Sequence, residues 1–123
     1  MKSQEIKQWD IVYVESEKKC PHGSVLYKSR PGVVISNDKG NMHSNIAIVA
    51  WLSTSLKRPE MVTHEILSHY EGLRKVSMLK AEQLQTIDQE DVLTVMDHLR
   101  PEDIVRVRRA VMASLGLEVQ DAT

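Results

Sequence analysis

Apolar and polar positions alternate loosely in Trp9-Asp10-Ile11-Val12-Tyr13-Val14-Glu15, with β-branched and aromatic types among the apolar ones, and this predicts a first strand. Ser16 to Lys28 loses that period and is predicted as a basic loop. Val33-Val34-Ile35 is β-branched throughout and suits a packed, pleated surface. Ile46-Ala47-Ile48-Val49-Ala50-Trp51-Leu52 is a continuous apolar run too short for a typical helix, which predicts a central strand buried on both faces. Between the two, Asn37-Asp38-Lys39-Gly40-Asn41 is rich in residues that tolerate positive φ, so the chain is expected to reverse there and form a β-hairpin. Alternation resumes at Val62–Leu67, and Gly72 to Lys75 turns the chain into a short strand at Val76–Leu79. Ala81–Leu84 reads as a single helical turn, Thr86–Asp88 and Val92–Met96 as late strands, and Met1–Gln8 as a polar, fraying end.

The clearest helix is Pro101 to Leu115. Proline suits its first position, Glu102 and Asp103 favour its positive end, and Gly116 is placed to stop it. Ile104, Val107, Val111 and Leu115 follow the spacing of one buried stripe, with Arg106 and Arg109 away from it. Strands first and a helix last, joined by connections too short for parallel crossovers, predict an antiparallel α+β fold, mainly β, with the helix across a small barrel or curled sheet.

At 123 residues and 14.0 kDa, one domain over 1–123 is expected, with 1–8 and 118–123 frayed. The lone Cys20 has no internal disulfide partner, and neither a secretory leader nor an apolar run of about 18 residues occurs, so a cytoplasmic protein without membrane spans is expected. A net charge of −1 speaks against a general nucleic-acid binder, yet the charge is unevenly spread. Residues 1–80 hold 12 Lys or Arg against 8 Asp or Glu, and residues 81–123 hold 4 against 9. The first part, net +4, suits local contact with a polyanion; an ordinary scatter of surface charge reads equally well.

Candidate chemistry gathers in Lys28–Asn41. Pro31 biases Ser29-Arg30 toward extended backbone, so Arg30 belongs at a strand entry, and Gly32 leaves room for close approach. An arginine there is either a surface ion-pair partner or a phosphate ligand. His64 and His22 are the neutral-pH candidates for proton transfer, while His43, His69 and His98 have no ligand-like spacing with Cys20 or with each other, so no metal site or cofactor is expected. Tyr27 suits either base stacking or packing over the barrel end.

Four blocks, Ser29–Asp38, Ala47–Ala50, Thr63–Ile66 and Glu82–Asp88, stand in an order and at separations that resemble the MazF/PemK toxin family; Trp9–Tyr13 and the terminal helix are similar too. The resemblance implies a small SH3-like antiparallel barrel with a C-terminal helix. It also implies an mRNA interferase: metal-independent, sequence-selective cleavage of single-stranded RNA by a homodimer that a MazE-like antitoxin silences. Arg30 matches the family's active-site arginine, and Ser53 falls where it has a threonine or serine after the central strand. Asn37 and Gln83 match positions near the RNA groove, with Thr54, Lys28 and Tyr27 beside them as further RNA contacts. Two departures stand out: Gly23–Lys28 replaces a glycine-rich stretch containing Glu-Gln, and Gln85 stands where an arginine is usual.

The implied reaction uses RNA's own 2′-hydroxyl as nucleophile, a route closed to DNA. A guanidinium is suited to the charge that grows on the phosphate oxygens, because it is permanently protonated and forks onto two of them, and the same property makes it a poor general base. Arg30 is therefore expected to hold phosphate, with the Ser53 hydroxyl donating to the same group. A non-catalytic binding protein on the same barrel, such as a CcdB-type inhibitor or a degenerate toxin, is the second reading. Trp51, Val105 and Met112 are compatible with a dimer interface.

Overall fold

The computed structural model describes residues 5–19 and 25–117, with the backbone alone for 16–19 and 25–28. Six strands, β1 (Asp10–Lys19), β2 (Val25–Val34), β3 (Ile46–Ser53), β4 (His64–Leu67), β5 (Ser77–Asp88) and β6 (Val92–His98), form one antiparallel sheet in the order β4-β5-β3-β2-β1-β6. A short helix, α1 (Asp38–His43), joins β2 to β3, a 3-10 turn (Gln89–Asp91) joins β5 to β6, and α2 (Pro101–Ser114) follows.

Each face of the sheet is covered differently. Ile11, Val33, Ala50, Leu52, Leu67 and Leu79 pack with Val107, Ala110 and Val111 of α2. On the other face, Val12, Val14, Val34, Val49 and Trp51 pack with Ile87 of β5 and Val92 of β6. β5 and β6 are separated by three strands in the sheet, so their meeting in one cluster requires the sheet to curl over on itself. The ladder nonetheless stays open, with β4 and β6 as edges, so the fold is barrel-like without being closed.

The structure corrects several expectations. β1 and β2 pair from Ile11↔Val33 to Lys19↔Val25, so the predicted loop Ser16–Lys28 is two strand arms around residues 20–24. A backbone ladder holds such a ribbon without any side-chain period. The reversal after Val34 is helical: Asn37 caps α1, its Oδ1 accepting from Gly40 N at 2.7 Å, a use of asparagine that competes with turn formation. Residues 81–84 lie within β5, because Ala81 N donates to Thr63 O and Leu84 pairs Ala50, and sheet pairing overrides their helical preference.

The central strand is not uniformly buried: Ile46 and Ile48 are exposed. On α2 the buried positions are Asp103, Val107, Ala110 and Val111, while Leu115 is exposed, so the stripe is rotated from the predicted one. The N-terminal residues from Ile6 to Gln8 are tied down. Ile6 is buried with Val12 and Val34, and the Gln8 amide nitrogen Nε2 donates to Ile35 O at 2.8 Å.

Candidate functional site

The polar end of the Trp51 face carries the candidate site. The β2–β3 ladder ends at Gly32↔Trp51, and two residues further along each strand stand Arg30 and Ser53, on the same face by strand alternation. Arg30 is half-buried and bends over the indole, its guanidinium carbon 4.8 Å from the Trp51 ring centroid. No described carboxylate pairs with it. The indole is fixed from its other side, because Trp51 Nε1 donates to Gln85 Oε1 at 2.9 Å. Gly32 makes this stack possible: a Cβ there would meet Trp51 Cε3 and Ala50 O, each at 3.3 Å. The close approach expected of Gly32 is thus the approach of the ring that carries Arg30.

Ser53 closes β3 opposite Met78, and its Oγ accepts from Ser55 N at 3.1 Å. That bond leaves the hydroxyl hydrogen to donate elsewhere. Across the same row, Met78 pairs Ile66, and His64 lies two residues before Ile66, so the register puts His64 on the face that bears Arg30 and Ser53. Two strand spacings, roughly 10 Å along the sheet, separate His64 from the row of Trp51.

His64 is 8% exposed, and both of its ring nitrogens are occupied. Nδ1 lies 2.9 Å from Arg58 O, and Nε2 lies 2.8 Å from Glu82 Oε2. A carbonyl oxygen only accepts, so Nδ1 carries a hydrogen; the Nε2 contact then also needs a proton between ring and carboxylate. Burial is the largest influence and opposes the charge on Glu82, but the hydrogen bonds the carboxylate accepts, from His64 first and also from its own backbone and Thr63, together outweigh it and hold that carboxyl below its ordinary range. Glu82 is the outward member, with 40% of its side chain exposed against 6% for His64.

The other predicted residues are dispersed. Gln83 is exposed in the bulged part of β5, two residues before Gln85. Asn37 stands at the far end of β2 from Arg30 and caps α1. Thr54 is exposed next to Ser53 and lines a cleft. Tyr27 and Lys28 are on β2 opposite Glu17 and Ser16, and their side chains lie outside the described residues, as do His22 and Cys20. Trp51, read as compatible with an interface, is 4% exposed beneath Arg30, whereas Val105 is 53% exposed. Sequence reasoning missed the partnership of His64 with Glu82 and of Trp51 with Gln85. Both couple residues far apart in the chain, and only strand register reveals them. Among the described residues no helix is long and apolar enough to cross a membrane, and no group of three or more His, Cys, Asp or Glu is placed to hold a metal ion.

Known proteins share this architecture. Endoribonuclease EndoA of Bacillus subtilis is 36% identical over 113 residues, covering 91% of this chain and 96% of its own length. A mycobacterial endoribonuclease solved with its cognate antitoxin superposes with a TM-score of 0.75 at 16% identity, over 93% of this chain and 98% of the other. A MazE–MazF structure from Deinococcus radiodurans gives a TM-score of 0.76 at 14% identity, over 94% and 100%. The family model that describes the PemK-like, MazF-like toxins of type II toxin–antitoxin systems matches residues 7–115, nearly the whole described sheet and helix, and the chain belongs to that family.

Proposed function

We propose that this chain is an endoribonuclease toxin that cuts single-stranded mRNA at selected sequences without a metal ion. The observation that carries the reading is a guanidinium with no carboxylate partner among the described residues, held on an aromatic ring beside a strand-end hydroxyl, in a chain 36% identical to an endoribonuclease. A salt-bridged arginine would already be neutralised; Arg30 instead keeps its forked donors for a phosphate. Ser53 donates to the same group. The 2′-oxygen attacks phosphorus, the bond to the 5′-oxygen breaks, and the leaving oxygen takes a proton. His64 and Glu82 form the acid–base couple, with Glu82 as its solvent-facing end. Gln83 and Thr54 line the RNA path, and Asn37 lies near its further end. His22 is kept as a second proposed acid–base residue, and Lys28 and Tyr27 as proposed RNA contacts, on the sequence alone.

The partners proposed are an antitoxin, as in the mycobacterial and Deinococcus complexes, and a second copy of the chain, in the cytoplasm. The CcdB-type alternative finds no support among these relatives, which carry endoribonuclease and MazF names. The test is to incubate wild type and Arg30→Ala with a defined RNA in EDTA and sequence the fragment ends. Cleavage by wild type and its loss in a folded Arg30→Ala support the reading; no scission by the wild type overturns it.

A further inference from the structure

A cleft of about 710 Å³ opens on the side of the sheet opposite Arg30, next to the candidate site. Pro31 and Thr54 line it, and they are the chain neighbours of Arg30 and Ser53. Its apolar part is Tyr13, Leu73 and Met96, all half-exposed, and its rim carries Arg74 and Lys75. Both cations are exposed, and among the described residues neither side chain has a hydrogen-bond or ion-pair partner. Among the described residues no carboxylate lines the cleft.

The loop that bears the two cations is clamped on both sides. Tyr70, buried just ahead of it, donates its hydroxyl to Asp103 Oδ2 at 2.5 Å, and Arg100 stacks on its ring at 4.1 Å while donating to Ser68 O and His69 O. Gly72 lies so close to β6 that a Cβ would meet Met96 Cβ at 2.5 Å. Beyond the cations, buried Ser77 donates to Lys75 O. Two unpaired cations on an anchored loop, over an aromatic and apolar floor, complement a nucleotide: phosphate on the rim, base on Tyr13.

We propose that this cleft receives a nucleotide of the RNA adjoining the cleaved phosphate, so that the substrate passes the end of β3 from Arg30 to Arg74 and Lys75. The proposal rests on the endoribonuclease reading. It is tested with the exposed double variant Arg74→Ala/Lys75→Ala on RNA oligonucleotides of increasing length. On a long substrate KM rises on the order of tenfold with little change in kcat, and the slope of affinity against salt falls by about one to two. The difference from wild type shrinks as the oligonucleotide becomes too short to reach the cleft. In an Arg30→Ala background, fluorescence anisotropy with the same long RNA shows a matching loss of affinity.

Unchanged KM and salt slope on the long substrate, with the wild type active, overturn the cleft assignment alone. No cleavage by the wild type overturns the underlying nuclease reading instead. If the double variant binds RNA normally but loses an acidic peptide, the cleft docks protein and the proposal fails.

Discussion

Arg30 and Trp51 sit on adjacent strands, and the guanidinium carbon of one lies 4.8 Å from the ring centroid of the other. The stack limits where the charge can go, while the Gln85 bond limits how the ring can turn. A cation–π contact of this kind contributes about 0.5–2 kcal/mol, and 1.4 kcal/mol corresponds to tenfold in rate if it all serves positioning. Trp51→Leu is therefore expected to lower kcat/KM on RNA by up to about tenfold while keeping the fold, whereas Arg30→Ala abolishes cleavage. Assays of labelled RNA beside circular dichroism separate the two outcomes. A Trp51→Leu enzyme as fast as wild type would show that the ring does not position the charge.

Gly32 is expected to be intolerant of even one methyl group. Its neighbours at 3.3 Å are a backbone carbonyl and a buried indole wedged under Arg30, so neither yields freely. Gly32→Ala should destabilise by about 1–3 kcal/mol and shift the fluorescence of Trp51, one of two tryptophans in the chain. Urea denaturation followed by fluorescence reads both at once, and a midpoint equal to wild type would refute the crowding.

Much of this arrangement is legible in the residues. The β-branched run at Val33–Ile35, the apolar run at Ile46–Leu52 and the proline-led helix each become the element their patterns predict. Ser53 at a strand end follows from the hydroxyls after Leu52, whereas Arg30, expected at a strand entry, is the sixth residue of β2, because pairing with β1 extends that strand back to Val25. The failures share one cause. The arms of the β1–β2 hairpin and the stretch Ala81–Leu84 are strands because a partner strand supplies their hydrogen bonds, and a partner distant in the chain leaves no local pattern. The same holds for Glu82, whose bond to His64 spans eighteen positions.

The His64–Glu82 pair carries a pH dependence with a definite sign. The carboxyl is held below its ordinary value of 4.5, because the bonds it accepts, from His64 first, together outweigh burial, so its contribution to stability is present above that value and is lost as pH falls through the folded one. His64→Gln is expected to lose part of the acid dependence, and a double-mutant cycle with Glu82→Gln should give a coupling well above measurement error. Denaturation midpoints across acidic pH, paired with cleavage rates near neutrality, make the test. Additive losses in both readouts would mean that the two side chains act independently.

Asp103 is the anchor of the loop network, and its removal should be the most damaging single polar change. Its side chain is 5% exposed, accepts from Tyr70, and pairs with Arg100 and Arg106. Burial works against its charge, yet the hydrogen bonds from Tyr70 and Arg106 prevail and hold the carboxyl below 3.8. Asp103→Asn is therefore expected to cost about 3 kcal/mol at neutral pH, with the difference from wild type shrinking as pH falls through the folded value. At the other extreme, burial and the bond to Asp103 push the Tyr70 phenol up to about 12. Stability associated with that phenol is complete below pH 10, the unfolded value, and disappears as pH rises toward 12. A spectrophotometric titration should find one of the three tyrosines ionising near 12 in the wild type, and Tyr70→Phe should remove that step. If no tyrosine ionises near 12 while the protein is still folded, the network does not bind the loop to α2 as described.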